Sequence, residues 1–435
     1  MPTTSGINKV SLMVDKKNKV PVSFCEKMSF KITNIDRLFS LGFLGDILIG
    51  KTGIESYYNM ILSGNPGERY EEITYENSRA GKIILERPPE AGEDISLTID
   101  INIQRIAREA LGDLRGAVVV MDPWNGEIIA MASNPGFNLN TFNKHYNHIV
   151  NDKNKPLLNR PIQSALPPGS TFKIVTAVAA LTEKIVTGNQ LFKCYGQGGG
   201  HTRFRCSSKY GHGMLSVEKA IHHSCNVYFF KVADEMGGEL LHKWGKLFGF
   251  GELSMIDIPY ERKGILPKPK SVSESKNISI GQGRLLATPV QVTRMIAIIA
   301  NGGKKVRPHV IGDINNTDSV EMQDDTDGEN TLKIPKSVLA IVRNGLAKVT
   351  TEGTGRNMGI EEYLVAGKTG TAETHRKNDN HTWFTGFAPY NNPKYCFTVL
   401  VEHSPLHAAE ATAPVLRPVL AALFPEIETK PRKNN

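Results

Sequence analysis

The sequence predicts an α+β protein: antiparallel strands packed against a helical cluster, preceded by an elongated accessory region. Three observations carry this. Two apolar runs, Ala117–Met121 and Glu127–Ala132, flank Pro123-Trp124-Asn125-Gly126, and the Asn-Gly pair marks a hairpin. Helical stretches with apolar faces follow at Ser170–Glu183, Thr288–Ala300 and Ile334–Val349. Strand-like runs return near the end, at Tyr363–Ala366, Trp383–Ala388 and Tyr395–Glu402, separated by turn signals such as Asn391-Asn392-Pro393.

In chain order, residues 1–113 are turn-rich and read as the accessory domain. They hold one helical stretch, Ile54–Leu62, then Gly64-Asn65-Pro66-Gly67 and short strand-like pieces ending at Pro88-Pro89. Ile95–Ile101 alternates as a strand does, and Ile103–Leu111 has helical spacing. Residues 114–425 form the mixed domain, beginning with the hairpin. Within it Thr288 and Gln291 stand at capping-box spacing, Pro289 takes the first helical position, and Gly302 lies just beyond the end. Asp313–Asn330 is acidic and poor in apolar residues, a solvated loop, and residues 426–435 are a disordered polar tail.

The chain has 435 residues, 40% hydrophobic and 22% charged, which suits two or three folded domains at about 100–200 residues each. Lys and Arg number 52 against 44 Asp and Glu, a net charge of +8. With no compact basic run and no zinc-finger or RNA-binding motif, nucleic acid is not an expected partner. Leu38–Gly50 is broken by Asp46 and Pro414–Phe424 by Arg417, so nothing reaches the length of a bilayer span. Met1–Val22 lacks the pattern of a signal peptide, and taken literally the chain is soluble and cytosolic. Five cysteines make no disulfide scaffold, yet Cys194, Cys206 and Cys225 share one short window.

Two motif readings compete. Gly45–Thr52 fits G-x-x-x-x-G-K-[ST], with Lys51 and Thr52 as phosphate and Mg²⁺ contacts and Asp122 as a second metal ligand. Its context argues against it: no βαβ unit follows, Pro88-Pro89 intervenes, and Asp122 is followed at once by a hairpin turn. The other reading is serine acyl transfer. Ser170 follows Pro167-Pro168-Gly169, which places it in the first turn of an apolar helix, where free N–H groups and the helix dipole favour a developing anion. Lys173 lies three residues on, on the same face, and its apolar neighbours Phe172, Ile174 and Val175 favour the neutral amine a serine nucleophile needs as base. Ser224-Cys225-Asn226 falls between two helices and can aim a hydroxyl and an amide into one cleft. Lys368-Thr369-Gly370-Thr371 continues a strand, offering a cation, two hydroxyls and a residue without Cβ to an extended peptide and its carboxylate. Each piece alone has a plainer reading: a helix cap, a turn, a solvated strand edge.

Taken together, Pro168–Lys173, Ser224-Cys225-Asn226 and Lys368–Glu373 resemble the three active-site motifs of penicillin-binding transpeptidases, in the family's order. Gly116–Met131, Gly281-Gln282-Gly283 with Ala287-Thr288-Pro289, and Trp383–Pro389 resemble the same domain, and Ile49–Tyr58 resembles the pedestal of class B enzymes of the elongation type, the penicillin-binding protein 2 class. The resemblance implies a fold like that of serine β-lactamases, preceded by an N-terminally truncated pedestal. It implies that Ser170 attacks the penultimate D-alanine of a peptidoglycan stem peptide, Lys173 acts as base, and Ser224 relays a proton to the leaving amine. Asn226 would bind a substrate amide, the Lys368, Thr369, Gly370 and Thr371 strand the terminal carboxylate, and the Ser170 and Thr371 N–H groups the oxyanion. An acceptor amine then completes the cross-link, and β-lactams trap Ser170. The chemistry needs no cofactor.

By the same resemblance the chain works on the extracytoplasmic face of a bacterial inner membrane, with its anchor absent from this sequence, beside a separate membrane glycan polymerase and other elongation-complex proteins. Cys194, Cys206, His212 and Cys225 resemble by spacing a four-ligand structural Zn²⁺ position of some elongation-type enzymes, with His201, His222 and His223 as rival ligands. A penicillin-recognising sensor or scaffold without turnover, and a serine β-lactamase, are the alternatives.

Overall fold

The computed structural model describes residues 11–12, 39–44, 47–65, 68–73, 79–88, 90–197, 204–314, 330–374 and 379–427. The apolar run after Leu114 is continuous rather than alternating because its strand is covered on both faces. Strand β1 (Gly116–Met121) lies inside a five-stranded antiparallel sheet with β2 (Ile128–Asn134), β3 (Ala366–Glu373), β4 (Asn380–Ala388) and β5 (Tyr395–Ser404), in the order β3-β4-β5-β1-β2. Ala117, Val119 and Met121 pack into one core and Val118 and Val120 into another, as the period-2 pleat requires. The β1–β2 turn is held by its own side chains: Asp122 Oδ1 accepts from Trp124 N at 2.7 Å and Asn125 Oδ1 from Glu127 N at 2.9 Å.

The outer face carries α1 (Ile101–Leu111) and the terminal helix α7 (Ala408–Leu423), which bury Ile103, Ala107, Val415, Leu416 and Val419 against Val118, Phe384, Phe397 and Val399. The inner face carries the helical cluster: α2 (Lys173–Thr182), α3 (Val217–His222), α4 (Asn226–Met236), α5 (Pro289–Ala300) and α6 (Lys336–Thr351). Phe172, Ile174, Val178, Val290 and Ile296 meet Ala117, Val119, Trp383 and Leu400 there. Each such side chain, fully buried, contributes about 1.5–3 kcal/mol. The α5 capping box forms, with Gln291 N donating to Thr288 Oγ1 at 3.4 Å and Thr288 N to Gln291 Oε1 at 3.0 Å. This two-core α+β arrangement is the predicted class.

The accessory region is built of small antiparallel pairs, Phe39–Leu44 with Ile47–Thr52 and Glu68–Ile73 with Arg79–Arg87, while Ile95–Leu97 pairs with Ser11–Leu12 and Ile311–Ile314. Ile54 is fully buried in the inner core, and Tyr58 OH donates to Asp257 Oδ2 at 3.4 Å, tying this region to the mixed domain. Helix α1 falls within residues 1–113, yet its apolar face packs on the sheet and α7.

Several expected elements differ. The helix expected over Ile54–Leu62 is two short ones, Gly53–Tyr57 and Asn59–Ser63, broken at Tyr58. The strand expected over Ile95–Ile101 ends at Leu97 because Asp100 caps α1, accepting from Asn102 N and Ile103 N. Tyr363–Ala366 is not a strand: Glu361–Tyr363 is a 3₁₀ turn, Leu364 adopts φ +49°, and β3 begins at Ala366. The Gly50-Lys51-Thr52 portion of the phosphate-loop match lies in an antiparallel strand, not a loop, and Gly45 and Asp46 lie outside the described residues. Most of the acidic Asp313–Asn330 stretch, and the tail from residue 428, also lie outside them.

Candidate active site

Pro167 and Pro168 stop any helix upstream, and Trp383 Nε1 on β4 donates to Pro167 O at 2.9 Å, fixing this segment against the sheet. The expected α-helix does not begin at Ser170: Gly169–Phe172 is a 3₁₀ turn, and α2 starts at Lys173. With three residues per turn, a 3₁₀ turn stacks positions i and i+3 directly, so Ser170 and Lys173 are aligned more closely than an α-helix would allow. From Pro168 to Lys173 only Ser170 keeps partial solvent access.

Lys173 is wholly buried, and its amine is the hub of the site. Nζ donates to Asn226 Oδ1 at 2.6 Å, Ser224 O at 2.8 Å and Ser224 Oγ at 3.2 Å, and lies 5.6 Å from the Phe229 ring centre. Burial pulls its pKa from 10.5 to about 8, with the nearby Cys225 and Cys206 thiols opposing that shift. Ser224 sits between α3 and α4 at φ +54°, a left-handed conformation costly for a residue with a side chain. Its N–H donates to Ile221 O at 3.1 Å, and the next residue, Cys225, donates to Ala220 O at 3.0 Å, so the strained turn is held by the end of α3.

The third motif lies on β3, which among the described residues is an edge strand and pairs only with β4: Lys368 faces Thr385, Gly370 faces Trp383 and Thr371 faces Thr382. Lys368 is not the solvated edge lysine of the plain reading. It is wholly buried, and Nζ donates to Ser224 Oγ at 2.9 Å and Thr369 O at 3.0 Å. Burial, and then the Lys173 amine, push its pKa well down, so the strand does not offer a freely solvated cation. Gly370 lets β3 touch the serine turn: a Cβ there would lie 2.7 Å from Pro168 O and 2.9 Å from Thr171 Cγ2. A Cβ on Gly169 would lie 2.8 Å from Thr371 O and 3.1 Å from Thr371 N, so these two backbones are in close contact beside Ser170.

Lys173, Ser224, Asn226 and Lys368 thus form one hydroxyl–amine cluster, with Ser170 three residues before Lys173 and Thr369 to Thr371 continuing β3 past the serine turn. Two further residues hold it: Gln282, which the resemblance marked as part of Gly281-Gln282-Gly283 without a role, and Thr354, which had none in the sequence reading. Gln282 Nε2 donates to Thr371 O at 3.1 Å, and Thr354 Oγ1 shares a 2.6 Å hydrogen bond with Thr369 Oγ1. Gln282 stands between glycines at φ +74° and +79°, and Thr354 in Gly353-Thr354-Gly355; for Thr354 the flanking glycines were the only available signal.

The cysteine window also converges. The ligand atoms of Cys194, Cys206, His212 and Cys225 all lie within 4.8 Å of one another. His212 Nδ1 is 3.6 Å from Cys194 Sγ and 3.5 Å from Cys206 Sγ, and Cys206 Sγ is 4.0 Å from Cys225 Sγ. Tetrahedral Zn²⁺ at ordinary bond lengths asks for S···N near about 3.6 Å and S···S near about 3.8 Å, so the donor set fits. The described cysteines are free, and the hydrogen bond between Cys206 and Cys225 lowers the Cys206 pKa, which suits a cation. His222 and His223 are not in the cluster, and His201 lies outside the described residues.

Known proteins match the chain over most of its length. The curated peptidoglycan D,D-transpeptidase MrdA of Haemophilus influenzae is 36% identical over 411 residues, covering 86% of this chain and 62% of that protein. MrdA of Escherichia coli strain K12 is 32% identical over 412 residues, covering 86% and 64%. The chain therefore spans 62–64% of the length of these curated relatives. Among solved structures, Pseudomonas aeruginosa PBP2 matches with a TM-score of 0.78 at 31% identity, covering 92% of each chain. The complex between PBP2 and MreC from Helicobacter pylori matches with a TM-score of 0.74 at 30% identity, covering 87% of this chain and 73% of that one. Residues 116–421 match the penicillin binding protein transpeptidase domain; every residue that converges on the Ser170 turn falls inside that span, and the chain belongs to this family.

Proposed function

We propose that the protein is a peptidoglycan D,D-transpeptidase of the elongation type, cross-linking stem peptides through an acyl-enzyme on Ser170. The observation that carries this is the Lys173 amine: buried, with a pKa of about 8, one short turn from Ser170 and bonded to both Ser224 Oγ and Asn226 Oδ1. Ser170 Oγ attacks the carbonyl of the penultimate D-alanine while Lys173 takes its proton. The oxyanion meets the N–H groups of Ser170 and Thr371. As the C–N bond breaks, the proton passes by way of Ser224 to the nitrogen of the departing D-alanine. Asn226 Oδ1 is committed to Lys173 and one Nδ2 hydrogen to Arg205 O at 3.5 Å, which leaves the second Nδ2 hydrogen for a substrate carbonyl. Thr369 and Thr371 receive the terminal carboxylate, Gly370 permits the close approach, and Lys368 supports the site through Ser224 rather than by direct solvent-side contact.

The names of its relatives, a Helicobacter pylori PBP2 solved with MreC, and a matching peptidoglycan synthase complex support partners among membrane-bound elongation proteins, including a separate glycan polymerase. That in turn supports a site of action on the outer face of the inner membrane; among the described residues no helix is long and apolar enough to cross a membrane. Residues 1–113 serve in this reading as the pedestal below the 114–425 transpeptidase domain. The Cys194, Cys206, His212 and Cys225 set holds one structural Zn²⁺, which when bound supplies no catalysis but ties the Ser224–Asn226 loop to the Gly213–Leu215 strand. Metal analysis should find one zinc per chain, and none would remove that part of the proposal.

The test of the main reading is mass spectrometry after exposure to benzylpenicillin. An adduct on Ser170 that is lost in Ser170→Ala is expected. Equal labelling of the variant would overturn the nucleophile, and rapid steady turnover of the penicillin would identify a β-lactamase instead.

A further inference from the structure

A polar cleft of about 420 Å³ opens against the Cys/His set, and none of the three motifs accounts for it. One side is the Ser207-Ser208 turn with His212, and the other is His223, just past the end of α3, with the loop after α6 from Glu352 to Asn357. That loop is anchored by Thr354 N donating to His222 O at 3.2 Å and Gly355 N to Val349 O at 2.8 Å, so the wall is held in place. The four ligand residues differ in exposure. Cys194, Cys206 and Cys225 keep 3%, 2% and 0% of their surface, whereas His212 is half-buried and lines the cleft. The His223 ring stacks on that of His212, with centroids 5.3 Å apart and planes 19° apart, and lines the cleft as well. Glu352 and Arg356 are both exposed and form no ion pair with each other or another side chain among the described residues.

We propose that this cleft is the port through which a divalent cation reaches the Cys/His set, with His223 as the ligand that meets the ion first and hands it to His212; the inference rests on the Zn²⁺ reading of that set. A metal site needs an entry path, and a set with three buried members is filled from the side of its open one. That side is the cleft. Its donors are of the kinds Zn²⁺ accepts as it sheds water: the His223 imidazole, the Glu352 carboxylate and the Ser207 and Ser208 hydroxyls. Rings 5.3 Å apart leave an ion held at one of them only a few ångströms from the other. Because zinc passes through five-coordination, the bond to His212 can form before the bond to His223 breaks. Cysteines that bind as thiolates release their protons to solvent as the ion enters. The charges at the mouth oppose each other: Glu352 attracts a dication and Arg356 repels it, so the two side chains set the loading rate in opposite directions.

The experiment measures rates of metal uptake rather than activity. Co²⁺ is mixed with the reduced, metal-free full chain, and its thiolate absorption band reports the ion seated on the cysteines themselves; excess chelator gives the release rate, and competition with Zn²⁺ the affinity. His223→Ala should slow loading and release together, by about tenfold, with the affinity kept within about threefold. Glu352→Gln should slow loading about fivefold at low ionic strength, the effect of one unit charge on a dication about 8 Å away in water. Arg356→Gln should speed loading by a similar factor, and added salt should shrink both effects. Lys193→Gln, next to Cys194 in sequence but outside the cleft, should change loading by less than about twofold. Unchanged loading in His223→Ala, with any loss of affinity appearing in release alone, is the mark of a neighbour that only steadies the filled site and would overturn the port. Equal responses to Lys193→Gln and Arg356→Gln would overturn it too. Failure of the intact protein to take up either ion would instead overturn the Zn²⁺ reading beneath it.

Discussion

Raising the pH should switch on acylation of Ser170 with a midpoint near 8, because the reactive form of Lys173 is its neutral amine. Burial removes water from that amine and disfavours its charge, lowering the pKa from 10.5 to about 8. At pH 7 a pKa of about 8 leaves roughly one amine in ten neutral, against roughly one in three thousand for an ordinary solvated lysine. The buried environment therefore raises the population of competent base about 300-fold, a differential of about 3 kcal/mol between the two protonation states. The assay is the second-order rate of Ser170 labelling by a fluorescent penicillin, followed from about pH 6 to pH 10 in constant ionic strength. The rate should climb about tenfold per pH unit below the midpoint and level off above it. Lys173→Met, which keeps the volume, should lower the rate about 10²–10⁴-fold and abolish the slope. A profile that levels off only near 10, or one with no dependence on pH, would refute the argument that burial generates the base.

Gly370→Ala should lower penicillin labelling more than it lowers expression. Its Cβ would press on Pro168 O, Thr171 Cγ2 and Trp383 Cβ at 2.7, 2.9 and 3.2 Å, costing about 1–3 kcal/mol by thermal unfolding and forcing β3 from the serine turn. Arg160 is wholly buried, with Nε 3.1 Å from Glu402 Oε1, so Glu402→Gln should destabilise the protein by about 3–5 kcal/mol, read as a lower denaturant midpoint, by leaving that charge unpaired. Cys206→Ser should lose the bound zinc and lower Tm, and a strong chelator should lower the Tm of the unaltered protein but not that of the variant.

What was legible in the sequence followed from local chemistry. The hairpin at Asn125-Gly126 and the capping box at Thr288 and Gln291 are set by residues a few positions apart, and both formed, whereas after Pro167-Pro168 the chain makes a 3₁₀ turn and the α-helix starts only at Lys173. The element ends were legible only where such a signal existed: Asp100 capped α1 earlier than periodicity alone suggested, and Leu364 entered a left-handed turn that no glycine announced. The convergence of Ser170, Ser224 and Lys368 was legible only through the family's motif order, because the chain separations of 54 and 144 residues carry no physical information about distance. The depth of burial of Lys368 was not legible. An edge strand is ordinarily wet, and only the helical cluster folding over β3 excludes water from that side chain.

That exclusion bears on how the site handles charge. Two lysine amines donate to one hydroxyl oxygen, Ser224 Oγ, at 3.2 and 2.9 Å, and both are wholly buried. Two ammonium groups sharing so small a volume repel strongly, and the Lys368 pKa falls first from burial and then from Lys173. The pair therefore titrates as one coupled unit, in which Lys368 is held well below the ordinary lysine value. With Lys368 pushed towards its neutral form, Lys173 can take the proton of Ser170 without placing two ammonium groups in the same small volume. Ser224 is then the atom through which either amine passes a proton onward, since its Oγ is within hydrogen-bond reach of both. Ser224 holds its left-handed φ where its Oγ lies within hydrogen-bond reach of both amines. Base strength at Lys173 and proton delivery to the leaving amine are thus one property of the buried pair, not separate properties of two residues.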